Sequence, residues 1–501
     1  MKNNVWKTFV LTLIVLVALF ALFYLPRINI AGTDLRRVNI LSDVQQRTAD
    51  GKIIAEVKAD SIDGFVEQGI DSAAVMVKRL EYVDSIPKGM VAIEDFADAQ
   101  GLNREMDLFY SALDQARNRL VRVAYYSDSY IEGDILTMDL RGMLQGKYGG
   151  KGVGFVEINC VSSGFRRSVN AKRSGWSCYY SNAKGHGFSN SLQGMAGSYF
   201  VPGGTATFEL RGQNNVYANL LDTAEVATVY FTPSSSLNID YSLNGGPSST
   251  LYSGGGAAPA EEYVEEIDTT VKDSVVYRRR RVTPSHAQQA AGVLVSKSVT
   301  GRIGKFNMSV SGGSGSRFYG VALDGRHGVA VDNFSMRGSG GQFIETIPQE
   351  TMRSFANERP YDLIIIQYGL NVAGPKQKDY SAYTSRLGNA IAHLKAAYPK
   401  ASILVVSMGD RDKKGSDGLM HTMGGVKELI SYERKMASDH HVAFWNLYEA
   451  MGGDGSIARM KENKQANLDY THINFAGGRH LAELLFEVLM NGKENYDNRM
   501  K

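Results

Sequence analysis

The stretch 121–134, VRVAYYSDSYIEGD, decides how the chain is read. Its first half is an apolar run rich in β-branched residues and tyrosine, the mark of a buried strand. It stops abruptly at Ser127-Asp128-Ser129. An ordinary turn accounts for the stop, because serine and aspartate bond their own backbone and end strands at little cost. A nucleophilic serine held at the carboxyl end of a sheet accounts for it equally well. The rest of the chain has to choose.

At 501 residues the chain is long for one ordinary domain, and its 43% hydrophobic content is ample for sizeable cores. The formal net charge of +3 is close to balance and argues against nucleic acid as a partner. Two cysteines, Cys160 and Cys178, are too few for a disulfide scaffold or a four-ligand zinc site. They are either a single pair or two buried thiols.

The N-terminus carries two lysines, followed by the uncharged run FVLTLIVLVALFALFYL at 9–25 and then Pro26-Arg27. A run of that length is at the lower limit for spanning a bilayer. No small-residue cleavage site follows it, so residues 1–27 read as a transmembrane helical anchor rather than a removed signal. Its basic side stays in the cytoplasm. The expected location is therefore the cell envelope, anchored in the inner membrane, with the bulk of the chain in the periplasm or on the extracellular side. Residues 28–90 read as a membrane-proximal spacer.

Within 91–119 the apolar positions recur at three and four, which predicts a helix leading into the strand at 120–126. From 150 to 325 the texture changes to glycine, serine, threonine and aromatic residues in short alternating runs such as TATFELRG and EVATVYFTP. This predicts an all-β module of sandwich or jelly-roll type. Residues 242–266 read as a flexible loop, and Arg278–Arg281 as an exposed edge strand protected by charge. From 326 onward, GVAVDNF, DLIIIQYG, SILVVSM and VAFWNL alternate with helical stretches at 380–397, about 424–438 and 475–491. Near-continuous apolar strands between helices predict a parallel sheet covered on both faces. The strand at 120–126 would be its fifth member. The expected organisation is an α/β domain made of 91–149 and 326–501, interrupted by the β insert at 150–325.

Ligands of open α/β sheets collect at the carboxyl ends of the strands. There the chain places Ser127-Asp128-Ser129, Asn333 and Gly338, Gly369-Leu370-Asn371, and lastly Asp469 and His472 just before a helix. A serine, a base with an orienting carboxylate, glycine-turn backbone donors and an amide are what acyl transfer needs. Each has a bland reading: a turn serine, a helix-capping aspartate, a histidine bonded to backbone, an asparagine in a turn. All of those would have to hold together. His421, Asp410 and Asp412 read as a solvated loop, His440 and His441 as structural. His186 and His327 lack visible ligand partners.

The four blocks in this order resemble the SGNH (GDSL) hydrolase superfamily. Ser127-Asp128-Ser129 resembles its first block with serine in place of the usual glycine, Asn333 to Gly338 its second, Gly369-Leu370-Asn371 its third, and Asp469-Tyr470-Thr471-His472 its last. The resemblance implies a flavodoxin-like three-layer α/β sandwich. It implies Ser129 as nucleophile, His472 as base and Asp469 as its orienting partner. It also implies an oxyanion hole from the Ser129 and Gly338 N–H groups and the Asn371 amide, with no metal or cofactor. The substituted position leaves Ser127 as the alternative nucleophile. An SGNH core interrupted by a β insert resembles exported carbohydrate and O-acetylpeptidoglycan esterases. The implied substrate is an acylated carbohydrate. Two further readings stand beside it. One is an O-acetyltransferase working with a membrane-bound O-acyltransferase, and the other a non-catalytic binder of envelope glycan.

Overall fold

The computed structural model describes residues 82–96, 104–159, 165–183, 187–213, 223–234, 236–254, 293–313 and 315–501, with the backbone of short strands at 29–30, 33–34, 263–267 and 277–281. The expected anchor, most of the spacer, Cys160 and His186 lie outside these residues. Among the described residues no helix is long and apolar enough to cross a membrane. The chain divides into two units, 1–75 and 76–501. The antiparallel pair Asn29–Ile30 and Thr33–Asp34 belongs to the first, and everything below to the second.

The α/β core is built on a six-stranded sheet. In spatial order its strands are Gly328–Ser335, Leu120–Ser127, Leu363–Gln367, Ser402–Val406, Ala443–Trp445 and Glu94–Asp95. The first five run parallel and the last is antiparallel. The chain-order pattern 2-1-3-4-5 is that of flavodoxin-like sheets, whose binding crevice lies where the winding reverses, beside the first strand. Alternate residues of Leu120–Ser127 face opposite layers. Val121, Val123 and Tyr125 join the core beneath the helices Asp107–Asp114, Thr137–Tyr148 and Phe475–Met500. Ala124 and Tyr126 join the core beneath Gln349–Glu358, Ser381–Ala397 and Gly425–Asp439. That two-sided burial is why these strands read as unbroken apolar runs.

Among the described residues of 91–119, the predicted helix is found as Asp107–Asp114. Glu94–Asp95 instead pairs with the edge of the sheet, Asp95 opposite Ala443. The Asp95 carboxylate then accepts the N–H groups of Glu105 and Met106 at 2.7 and 3.0 Å, so it caps the helix from outside it. Packing on the core also begins before residue 91. Ser85 N–H donates to Asn495 at 2.9 Å, and Val91 carbonyl accepts from Trp445 Nε1 at 3.0 Å. At the other end the last helix runs to Met500 rather than 491.

The insert is all antiparallel, as expected, but its main body is one continuous nine-stranded sheet instead of two facing ones, with a separate two-stranded pair beside it in sequence. Its two long strands, Val169–Tyr180 and Ser198–Gly212, carry glycines in the left-handed region at Gly175 (φ +79°) and Gly204 (φ +89°). A register shift accompanies the first, between Ser174 and Trp176. Such bulges bend a sheet, and this one wraps round its own core of Phe200, Phe208, Phe231, Phe306 and Phe318. The predicted loop 242–266 contains a hairpin between Asn238–Leu243 and Ser249–Ser253. Asn244 (φ +55°) and Gly245 (φ +80°) open its connection at 244–248, both in the left-handed region that asparagine and glycine tolerate best. The arginine run is a strand, paired with Tyr263–Ile267 so that Glu265 lies opposite Arg279 and Glu266 opposite Arg278.

Candidate active site

Ser129 sits one residue beyond the Asp128 turn that ends the first core strand. Asp128 Oδ1 accepts the Tyr130 N–H at 3.0 Å, an Asx turn that lifts Ser129 out of the sheet. Ser129 Oγ lies 3.0 Å from His472 Nε2. His472 Nδ1 lies 2.7 Å from Asp469 Oδ2. Asp469 Oδ1 accepts the N–H groups of Thr471 and His472, each at 3.0 Å. With Nδ1–H directed at Asp469, Nε2 is left as the acceptor facing the serine hydroxyl. Burial alone would raise the Asp469 carboxyl. The hydrogen bonds from the His472 N–H, its ring and the Thr471 N–H outweigh it and hold that carboxyl below its usual range. The loop is tight, with Tyr470 at φ +53°, a conformation unfavourable for a bulky side chain.

Ser127 is fully buried and its Oγ has no partner among the described residues. It is therefore out of a substrate's reach, which leaves Ser129 as the hydroxyl presented to the base.

The second and third blocks converge beside Ser129. Ser127 carbonyl accepts the Met336 N–H at 2.9 Å, which keeps the first two strands aligned past their ends. Gly338 (φ +74°) turns the chain there. Gly369 (φ +126°) begins the third block, and a Cβ on it would lie 2.8 Å from Met408 Cβ and 3.0 Å from Glu433 Oε1. Only glycine suits that close approach. The N–H groups of Ser129 and Gly338 have no acceptor among the described residues, which leaves both available to an oxyanion. The Asn371 amide is different. It donates to Asp128 Oδ2 at 2.9 Å and to Ser339 carbonyl at 3.0 Å, so both of its hydrogens are engaged inside the protein. Burial pushes the Asp128 carboxyl up to about 7, although the Tyr130 N–H, His472 and Asn371 favour its charged form.

Beneath this lies a buried cluster that the motif reading missed. Asp134 accepts from Arg166 Nε and Nη2 (2.9 and 3.1 Å), Arg141 Nη1 (3.2 Å), Asn333 Nδ2 (2.8 Å), Thr137 Oγ1 (2.7 Å) and Ser168 Oγ. Burial would raise the Asp134 carboxyl, but the two guanidinium groups and the hydroxyls hold it far below the usual range. Arg166 and Ser168 belong to the insert, Asn333 to the second block. Asn333 also donates to Ile131 carbonyl (2.9 Å) and accepts the Ser335 N–H (2.9 Å). It is thus a tie between the first two blocks. Nothing local in IEGD or SGFRRS marks these residues, because their partners are distant in sequence.

The remaining candidates fall outside the relay. His421 pairs with Asp417 at 2.7 Å on an exposed hairpin. Asp410 caps the Ser456–Glu462 helix through the Ile457 N–H at 3.1 Å. Burial pushes the Asp412 carboxyl up to about 6. His440 packs on Gly388, where a Cβ would lie 2.3 Å from its Nε2, and His327 is exposed.

Fold and site together define the class: a flavodoxin-like α/β core with a Ser-His-Asp relay at its winding reversal, interrupted by a β insert, the SGNH-type fold. No family model matches the sequence, and no curated protein does. Among solved structures a peptidoglycan O-acetylesterase matches with a TM-score of 0.60 at 17% identity, covering 80% of this chain and 99% of its own. A family two carbohydrate esterase from Cellvibrio japonicus matches at 9% identity over 66% of this chain and 99% of its own, with a TM-score of 0.24. A Corynascus family two carbohydrate esterase with a carbohydrate-binding domain matches at 13% identity, over 57% and 93%, with a TM-score of 0.24.

Proposed function

We propose that the chain is a serine esterase that removes acyl groups, acetyl above all, from carbohydrate of the cell envelope. One observation carries this reading: Ser129 Oγ, His472 and Asp469 form a continuous relay of 3.0 and 2.7 Å. Ser129 attacks the ester carbonyl while His472 Nε2 takes its proton. His472 then gives that proton to the departing sugar oxygen, takes one from the water that attacks the acyl-serine, and returns it to Ser129 Oγ as the acid leaves. Asp469 holds the ring and favours its positive charge. The Ser129 and Gly338 N–H groups meet the oxyanion; one such donor is typically worth about 3–4 kcal/mol of barrier. The substrate assignment is supported by the fold shared with a peptidoglycan O-acetylesterase. The envelope location rests on the apolar run at 9–25.

The test supplies the full chain with p-nitrophenyl acetate and a chitin-oligosaccharide or muropeptide acceptor. Mass spectrometry follows the acetyl group, with Ser129→Ala alongside. Free acetate that disappears in the variant is the expected result. Acetyl on the sugar would make the protein an acetyltransferase. Equal inertness of both proteins would make it a binder.

A further inference from the structure

The site is bordered by three arginines that the relay does not use. Arg167 comes from the insert. Its neighbours Arg166 and Ser168 are buried and bound to Asp134, and the Phe165 ring lies where a Cβ on Gly133 would meet it at 2.2 Å. With that segment fixed to the loop after Ser129, Arg167 faces outward, its guanidinium 3.8 Å above the Phe475 ring. Phe475 is three residues past His472. Arg337 directly precedes Gly338 and is 63% exposed, held from beneath by buried Glu132 at 2.8 Å. Arg411 donates to Leu370 carbonyl at 3.2 Å, beside Asn371, while Asp412 N–H donates to Tyr470 carbonyl at 3.0 Å. Arg411 thus lies between the third block and the loop that carries His472.

Asp128 and Asp410 are bound by neighbouring N–H, amide and hydroxyl groups, and Asp412, next to Arg411, is pushed up to about 6, chiefly by burial. Glu132 neutralises Arg337, and Asp469 is engaged by His472. Asp139, on the Thr137–Tyr148 helix, is pushed up to about 6, chiefly by burial, with Arg479 and, less, Arg167 favouring its charged form and Glu483 opposing it. Among the described residues the contacts of these two guanidinium groups are the Phe475 ring for Arg167 and the Leu370 carbonyl for Arg411, with no carboxylate within salt-bridge distance of either. Two guanidinium groups beside the relay favour an anion there, and their planar forks match a carboxylate.

We infer that the site selects acylated glycans that carry carboxylates over neutral ones, with Arg167 and Arg411 as the residues that recognise the carboxylate. This rests on the esterase reading for its catalytic consequence and on the charge arrangement alone for binding. The insert is then part of the substrate cleft, since it supplies one of the two cations.

Two measurements on the full chain separate those levels. The first compares acetate release from acetylated oligogalacturonate, acetylated muropeptide and acetylated xylo-oligosaccharide. Either carboxylated substrate should exceed the neutral one in kcat/KM by about tenfold at low salt, and the advantage should shrink as salt screens it. The better of the two tells whether the carboxylate belongs to the sugar ring or to a lactyl-peptide substituent. Arg167→Ala and Arg411→Ala should each reduce the carboxylate-to-neutral ratio several-fold through KM, with Arg167→Lys partly restoring it. Equal kcat/KM for all three, or a ratio unmoved by both substitutions, overturns the inference. The second titrates unacetylated oligogalacturonate and xylo-oligosaccharide into Ser129→Ala by calorimetry, so it needs no turnover. Preferential binding of the oligogalacturonate, lost in the added Arg167→Ala/Arg411→Ala pair, is expected. Binding no tighter than that of the neutral glycan overturns the inference even if no ester is ever hydrolysed.

Discussion

Asn371 donates one amide hydrogen to Asp128 and the other to the Ser339 carbonyl, so it ties the first, second and third blocks of the site together. In the resting site its part is to hold the Ser129 turn and the Gly338 turn in mutual register. Reaching an oxyanion would require it to release one of those acceptors. The Ser129 and Gly338 N–H groups need no such release.

Replacing Asn371 by alanine should therefore act through both roles. It removes a donor to the buried Asp128 and frees the Gly338–Ser339 turn. We expect kcat for p-nitrophenyl acetate to fall by about 10², the cost of misplacing the reacting groups by about 1 Å, with KM little changed. A matching loss of thermal stability, read by calorimetry, would show the tie as well as the donor.

Asp128 gives a stability prediction with a definite sign. Burial pushes its carboxyl up to about 7, against about 3.9 in an unfolded chain. Between those values the folded chain holds a proton that the unfolded chain has released. Stability contributed by Asp128 therefore falls as pH rises from about 4 to about 7 and stays at its lower level above. In urea melts from pH 4.5 to 8, Asp128→Asn should lose less stability with rising pH than the wild type does. Glu157 and Asp139, also raised to about 7 and about 6, push both proteins the same way, so the difference between the two curves is the quantity to read.

Ser127 and Ser129 should respond oppositely. Ser129→Ala removes the hydroxyl 3.0 Å from His472 and should abolish the acyl-serine seen by intact-mass spectrometry. Ser127→Ala deletes a buried hydroxyl without a partner, so the acyl-serine should still form and stability should hold or rise slightly. Asp469→Asn leaves the ring geometry but favours the wrong tautomer, and kcat should fall by about 10²–10⁴.

Arg359 should be indispensable to the junction between insert and core. It is buried, bonds Asp332 at 2.6 and 2.8 Å, Asp324 at 2.8 and 3.3 Å, and the Tyr230 hydroxyl of the insert at 3.1 Å. Arg359→Met strands two buried carboxylates, and removing one partner of such a pair typically costs about 3–5 kcal/mol. Chemical denaturation would measure it. Removing the charges together, as Arg359→Met with Asp324→Asn and Asp332→Asn, should recover part of the loss.

Gly478 should tolerate no side chain. A Cβ there would lie 1.9 Å from Ile135 carbonyl, where the last helix crosses the loop after Ser129. Gly478→Ala should move that helix and with it His472, lowering the melting temperature and kcat together.

The sequence by itself determined the parallel α/β core and the residues gathered at its edge. Apolar runs such as LIIIQ report burial on both faces, and strand ends are where ligands collect, so the Ser127-Asp128-Ser129 turn, Gly338, Asn371, Asp469 and His472 were legible from position, while Ser129 within that turn came from the family resemblance. Local signals were there even where misread: Asn244-Gly245 marks a hairpin inside the stretch taken as a loop. Only tertiary structure decided the rest. It buried Ser127 fully and left Ser129 half-buried, two residues apart in one turn, because the neighbouring strands cover the first more completely. It set Glu94–Asp95 on a sheet edge, within the stretch whose period predicts helix. It engaged both Asn371 hydrogens, gathered Arg166, Ser168 and Asn333 on Asp134, and left Arg167 over Phe475. Each of these depends on partners tens to hundreds of residues away. Hydrophobic period records which face of an element is buried, but not which distant polar group it will meet there.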